Sequence, residues 1–230
     1  MQSFQAQNWP EREQVIVDGA SRDATLQIAR TCSNDQTIIL SEPDQGIYDA
    51  INKGISMATG EVIGMLHSDD LFADETVLRQ VADIFSDPQI DIAYADAVFF
   101  NRDRPDRIVR RYNSAKFSLS SIAQGWMPAH TTMFARRNVF DRFGLYRTDY
   151  QIAADFEFIA RVFGSGKIES RYAPQIWVKM QTGGASTAGF RSKLVLNKEV
   201  LRACRENGID TSYPRLLSKY PAKLRELFGF

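Results

Sequence analysis

An α/β fold, a mostly parallel sheet flanked by helices, is predicted by three observations. Short β-rich runs alternate with helix-period segments through the first hundred residues, each apolar run closes on a polar turn, and nothing in the composition calls for a disulfide or metal staple. The 230 residues are 44% apolar, 24% charged and 11% aromatic, which excludes fibrous and disordered chains. At this length roughly 70–75% of the unfolded surface can be buried, enough for a self-sufficient core. Twenty-eight basic residues balance 28 acidic ones, which argues against a nucleic-acid partner. Cys32 and Cys204 lie far apart without a C-x-x-C pattern and are expected to be inert buried thiols in a reducing, cytoplasmic compartment. No apolar run reaches the roughly 18–20 residues of a membrane span, and the polar start lacks a signal-peptide pattern.

The elements follow in order. Val15-Ile16-Val17 reads as a strand, Thr25 to Cys32 as a helix, and Thr37 to Leu40 as a second strand. The next helix opens near Ile47 and places Ile47, Ala50, Ile51, Gly54, Ile55 and Ala58 on one stripe, leaving Tyr48, Asp49, Asn52 and Lys53 to face ligand or solvent. Val62 to Leu66 closes a βαβαβ pattern. A helix from Asp74 to Ser86 buries Val77, Leu78, Val81, Ala82 and Phe85 and stops before Pro88, whose ring disfavours the α region at Asp87. Ile90 to Phe100 reads as a buried strand. An Arg/Asp-rich turn at 101–107, strands at 107–112, 131–135 and 176–180, and helices at 153–163 and 190–207 complete the chain.

In open α/β sheets ligands bind beyond the carboxyl ends of strands, so the polar residues that close the apolar runs are the site candidates. In Asp18-Gly19-Ala20-Ser21-Arg22-Asp23, Gly19 permits a tight turn, and helix capping competes with ligand binding as its purpose. In His67-Ser68-Asp69-Asp70, two adjacent carboxylates repel one another, and a hard cation such as Mg2+ or Mn2+ would offset them; the alternative is that they favour the start of the following helix. Asp155 and Glu157 open an apolar helix, where the helix dipole alone could account for both. His130 reads equally as a hydrogen-bonded structural group.

These segments recur in one familiar order. Val17 to Thr25, Ser41 to Gly54, Ala58-Thr59-Gly60-Glu61, Ser68-Asp69-Asp70, His130 to Arg137, Ile152 to Arg161 and Gly183-Gly184-Ala185-Ser186 together resemble family 2 glycosyltransferases, inverting enzymes with the GT-A fold. The resemblance spans about residues 3–210 and implies one domain there, with a nucleotide-sugar-binding half (1–100), an acceptor-side half (101–210) and a basic, apolar tail (211–230). It implies a nucleotide-sugar donor, usually a UDP-sugar, and a saccharide or lipid-linked acceptor in polysaccharide or glycolipid synthesis. Asp18 would lie near the base or ribose, with Gly19, Ser21 and Asp49 on the same donor side. Asp69 and Asp70 would form the acidic motif, Asp70 holding Mn2+ or Mg2+, with Lys53 as a second cation. Asp155 would be the general base, although Ala154 stands where the family often has Glu. Glu157 is the fallback, half a turn away. His130, Gly183 and Gly184 would line the acceptor or diphosphate side.

One departure stands at the front. Family members begin with an apolar strand, a loop and a helix, and Met1 falls inside that helix, so a central strand is expected to be missing, leaving unpaired backbone groups and one wall of the donor pocket absent. A non-catalytic glycosyltransferase-like subunit and a nucleotidyltransferase are therefore the competing readings. The tail, with Leu216, Leu217, Leu224, Leu227 and Phe228 among Arg215, Lys219, Lys223 and Arg225, is expected to pack on the domain or a second copy, or else to touch the inner face of an anionic membrane.

Overall fold

The computed structural model describes residues 1–101, 103–182 and 190–218. The chain runs α1 (Gln2–Gln5), β1 (Gln14–Asp18), α2 (Thr25–Thr31), β2 (Thr37–Ser41), α3 (Ile47–Met57), β3 (Val62–Gly64), β4 (Leu71–Phe72), α4 (Val77–Phe85), β5 (Ile92–Asn101), β6 (Arg104–Tyr112), α5 (Leu119–Ile122), β7 (Phe134–Arg136), α6 (Arg137–Phe143), α7 (Ala154–Gly164), β8 (Ser170–Gln181), α8 (Phe190–Glu206) and α9 (Tyr213–Leu217).

The predicted α/β class holds, but the main sheet is mixed. Its order is β3-β7-β5-β8-β4 with β6 added on β5, and only the β5–β8 pairing within it is parallel. β1 and β2 pair in parallel as a separate two-stranded sheet. The expected βαβαβ unit is thus divided: β3 joins β7, and among the described residues neither the second edge of β1 nor that of β3 carries a ladder partner. Glu13 nevertheless ties the two sheets at one end, accepting from the Thr59 N–H at 2.8 Å and the Thr59 hydroxyl at 2.9 Å.

β5 is central because it is apolar on both faces, as a strand covered on both sides must be. Its alternate residues point to opposite sides. Ile92 and Tyr94 join a core with α6, α7 and α8, which contributes Val139, Phe158, Ile159 and Leu201. Ala93 and Ala95 join a second core with Val77, Val81 and Phe85 of α4 and with Trp177. Helices therefore cover both faces of the main sheet.

Several boundaries differ from expectation. Met65 and Leu66 lie outside β3, and the two-residue β4 follows the acidic turn and pairs with Val178 and Lys179. α4 starts at Val77 rather than Asp74, because the Asp74 carboxylate accepts from the Thr76 N–H and hydroxyl and holds a turn before the helix. On α3 the predicted stripe holds at Ile55, which is buried, and at Ile51 and Ala58, which pack on the core, but Ile47 is 53% exposed, and Tyr48 is buried while Asn52 bonds reciprocally with the Tyr146 backbone at 2.7 and 2.9 Å. Cys204 is buried and Cys32 half-buried, and the two form no disulfide. Leu216 of α9 packs fully buried on the domain, so the tail begins as part of the core; residues 219–230 lie outside the described ones.

Candidate active site

Site residues fall into two groups bridged by α3. The first sits at the carboxyl ends of β1 and β2. Asp18 accepts from the Ser41 hydroxyl at 2.7 Å and from the Ser21 N–H at 3.1 Å, and these bonds hold its carboxyl below the usual range. A Cβ at Gly19 would lie 2.3 Å from an Asp44 carboxylate oxygen, so a side chain there would displace the Asp44 carboxylate, and Ala20 takes the left-handed region at φ 58°. Asp49 accepts from the Gln45 N–H at 3.0 Å. Lys53, expected as a second cation at the donor, is engaged with Glu42 at 2.9 Å, Asp49 at 3.4 Å and the Pro43 carbonyl at 2.9 Å, and so fastens the 42–49 loop to α3.

The second group gathers around His67. Asp70 is buried and Asp69 exposed on one tight turn, closed by the Asp70 N–H donating to the His67 carbonyl at 3.0 Å. Burial, and then the Asp69 charge, push the Asp70 carboxyl up to about 6 against the opposing Gln181 N–H. The helix-start explanation for these acids fails: β4 intervenes, and α4 begins seven residues beyond Asp70, outside the reach of a helix-terminus field. Among the described residues no Lys or Arg pairs with Asp70, and no cluster of three His, Cys, Asp or Glu side chains is present. A buried, uncompensated carboxylate beside a second acid fits a hard cation held by one or two carboxylates and completed by substrate phosphates.

Asp155 stands at the second position of α7. Burial raises its carboxyl to about 6, the reverse of what the helix dipole would do, so burial wins. Its Oδ1 accepts from the Phe156 N–H at 2.7 Å and from the Tyr48 hydroxyl at 3.4 Å. His67 feels the charges of both Asp69 and Asp155, so the acidic turn and the start of α7 act on the same imidazole. Burial lowers His67 to about 4, and the ring lies 6.4 Å, centroid to centroid, from that of His130. His130 is also held near 4 by burial, and its Nε2 shares a hydrogen with the Tyr146 hydroxyl at 2.9 Å. Both imidazoles are therefore neutral at pH 7. Glu157 is removed as a fallback base, since Arg161 grips it through bonds of 3.0 and 2.9 Å. Gly183 and Gly184 lie outside the described residues.

Two residues that sequence reasoning missed hold Asp155 in place. α7 has no side-chain cap of its own; instead Glu199 on α8 accepts from the N–H groups of Gln151, Ile152 and Ala153 at 2.7, 2.9 and 2.9 Å. From the other side the Tyr48 hydroxyl donates to the Ile152 carbonyl at 2.5 Å, and burial with the nearby Asp155 charge keeps that hydroxyl protonated. Charge-assisted bonds of this kind are about twice as strong as neutral ones. Glu199→Gln is expected to lower kcat about tenfold with donor KM within about twofold, because a base misplaced by part of an ångström loses rate rather than donor affinity. Faster amide exchange at residues 151–153 in the variant is the independent readout; unchanged exchange and kcat would contradict the role.

The "Glycosyl transferase family 2" model matches residues 1–149. A PGL/p-HBAD biosynthesis glycosyltransferase of Mycobacterium bovis is 30% identical over 206 residues, covering 88% of this chain and 76% of that protein. The chain belongs to glycosyltransferase family 2 and is a transferase. Among solved structures, S. aureus TarS in complex with UDP-GlcNAc matches with a TM-score of 0.68 at 18% identity, covering 100% of this chain and 68% of that one. The mannosyltransferase PcManGT of Pyrobaculum calidifontis, in complex with GDP-Man and Mn2+, matches with a TM-score of 0.61 at 17% identity over 97% of this chain and 74% of that one. At these identities the two confirm the GT-A fold.

Proposed function

We propose that the chain is a metal-dependent inverting glycosyltransferase that moves a sugar from a nucleotide-sugar, a UDP-sugar by family habit, to a hydroxyl of a saccharide or lipid-linked acceptor. The observation that carries the reading is that His67 feels the charges of both Asp69, on the acidic turn, and Asp155, at the start of α7. Asp70, with Asp69 beside it, would hold Mn2+ or Mg2+, whose charge would stabilise the leaving nucleoside diphosphate. Asp18, whose hydrogen bonds from Ser21 and Ser41 hold its carboxyl below the usual range, suits a donor hydroxyl or base edge. Asp155 takes the proton of the acceptor hydroxyl as its oxygen bonds to the anomeric carbon and the bond to the diphosphate breaks, the electron pair leaving with the nucleotide. Both protein hydrogen bonds to Asp155 fall on Oδ1, which leaves Oδ2 to accept that proton. One displacement inverts the centre.

Donor, acceptor and Mn2+ together are expected to release free nucleoside diphosphate; pyrophosphate would instead indicate nucleotidyl transfer, and no turnover of any nucleotide-sugar would favour a non-catalytic subunit. With the base raised to about 6, kcat should climb as pH rises through that value, because only the ionised carboxylate accepts a proton. A flat profile from pH 5 to 7 would remove Asp155 from the role.

A further inference from the structure

β6 runs antiparallel along β5 on the side away from β8, and the two strands form a ribbon that closes at the Asn101–Arg104 pair, one residue past the last β5–β8 pair. Ile108 pairs with Phe100, Val109 is the extra residue of a bulge beside it, and the two are 57% and 56% exposed, an aliphatic pair presented to solvent. Arg104, Arg107 and Arg111 are exposed around them, and residues 101–112 carry five arginines against two aspartates, a local charge of +3 in a chain whose formal net charge is zero. Arg110 and Arg111 are anchored: Arg110 lies over the Phe99 ring at 4.5 Å, and Arg111 pairs at 2.6 Å with the fully buried Asp96. Arg104 and Arg107 flank the exposed aliphatic pair.

The ribbon rises from the catalytic end of the sheet. Phe100 pairs with Gln181 in the ladder, the Thr182 N–H donates to the Phe100 carbonyl at 3.0 Å, and the Gln181 N–H is the one that faces the Asp70 carboxylate.

We propose that this ribbon docks the protein on an anionic lipid surface, with the arginines on headgroup phosphates and Ile108 and Val109 entering the interface. Arginine forks match phosphate oxygens, and basic segments beside exposed aliphatics bind anionic bilayers through both terms. A second copy is a poorer occupant, because edge-to-edge pairing of two β6 strands sets arginine against arginine. Docking turns the Asp70 end of the sheet toward the bilayer and favours a lipid-linked acceptor; that consequence rests on the transferase reading, whereas the docking does not.

The test is co-sedimentation of the full chain with vesicles of phosphatidylcholine alone and with about one third phosphatidylglycerol. Pelleting is expected only with the anionic vesicles, and it should weaken steeply as salt is raised. Ile108→Asp with Val109→Asp, and separately Arg104→Glu with Arg107→Glu, should each lower the bound fraction at least about fivefold. All four positions are exposed, so melting temperature should hold, and the arginine pair keeps the test valid if the aliphatic pair misfolds. Equal binding to neutral vesicles, no binding to either, or undiminished binding by the arginine variant would overturn the proposal. So would a dimer in sedimentation velocity that the same variants dissociate, which would assign the ribbon to a second copy.

Discussion

Asp155→Asn is expected to lower turnover about 10³-fold while leaving donor affinity within about twofold, the size of effect that loss of a positioned general base produces. The asparagine keeps the size of the side chain, and its amide oxygen still accepts from the Phe156 N–H and the Tyr48 hydroxyl, so the start of α7 keeps its geometry. What disappears is a half-buried carboxylate raised to about 6 at the start of α7. Glu157 is locked to Arg161, and His67 and His130 are held near 4 by burial, so neither imidazole is a strong enough base to substitute. The residual activity should also lose its rise through pH 6. Turnover within a few-fold of the wild type would exclude Asp155 as the base, and calorimetric loss of donor binding would show that the substitution had damaged the pocket instead.

Asp70→Ala should abolish the Mn2+ dependence of donor binding and reduce turnover by about two powers of ten or more, since charge stabilisation at a leaving diphosphate is worth several kcal/mol. A stability readout separates this from simple damage. The folded protein raises the Asp70 carboxyl from 3.8 to about 6, so the folded state binds that proton more tightly than the unfolded chain does. The sign follows from linkage: metal-free protein gains stability from this group at low pH and loses it as pH rises from about 4 to about 6. At pH 7 the metal-free Asp70→Asn protein should therefore melt no lower than the metal-free wild type, even though it has lost metal-dependent donor binding. A lower melting temperature would mean that Asp70 serves the fold.

Much of the architecture was legible because the residues that form it obey local rules. α4 buries Val77, Val81 and Phe85 at intervals of four and ends at Phe85, with Ser86 between it and Asp87-Pro88, and β5 announces itself as an apolar run interrupted by Asp96. β4 was not legible, because two residues carry no periodicity and Leu71-Phe72 becomes a strand only by meeting Val178 and Lys179. The antiparallel entry of β7 and β8 into the main sheet likewise depends on partners far along the chain. Ile47 misled because a helix's first turn can project beyond the surface its later turns cover; Tyr48 and Asn52 took the inward side through bonds to Ile152 and Tyr146.

Among the site residues, the carboxylates were readable as acids closing apolar runs or opening helices, and the separation of Asp69 and Asp70 from any helix start is what the structure adds. Glu199 left no local trace: it sits in an amphipathic helix among Lys198 and Arg202, and its role exists only where α8 passes the loop before Asp155. Lys53 showed the converse, a cation whose spacing suggested a ligand and whose neighbours are Glu42 and Asp49.

The most direct test is the position of the metal relative to the base. Crystals of the protein grown with Mn2+ and a non-hydrolysable nucleotide-sugar should show the anomalous manganese peak on the Asp70 carboxylate, and the Asp155 carboxylate on the face of the anomeric carbon away from the diphosphate. A manganese peak away from the 69–70 turn, or a sugar that turns its diphosphate side toward Asp155, would contradict the account.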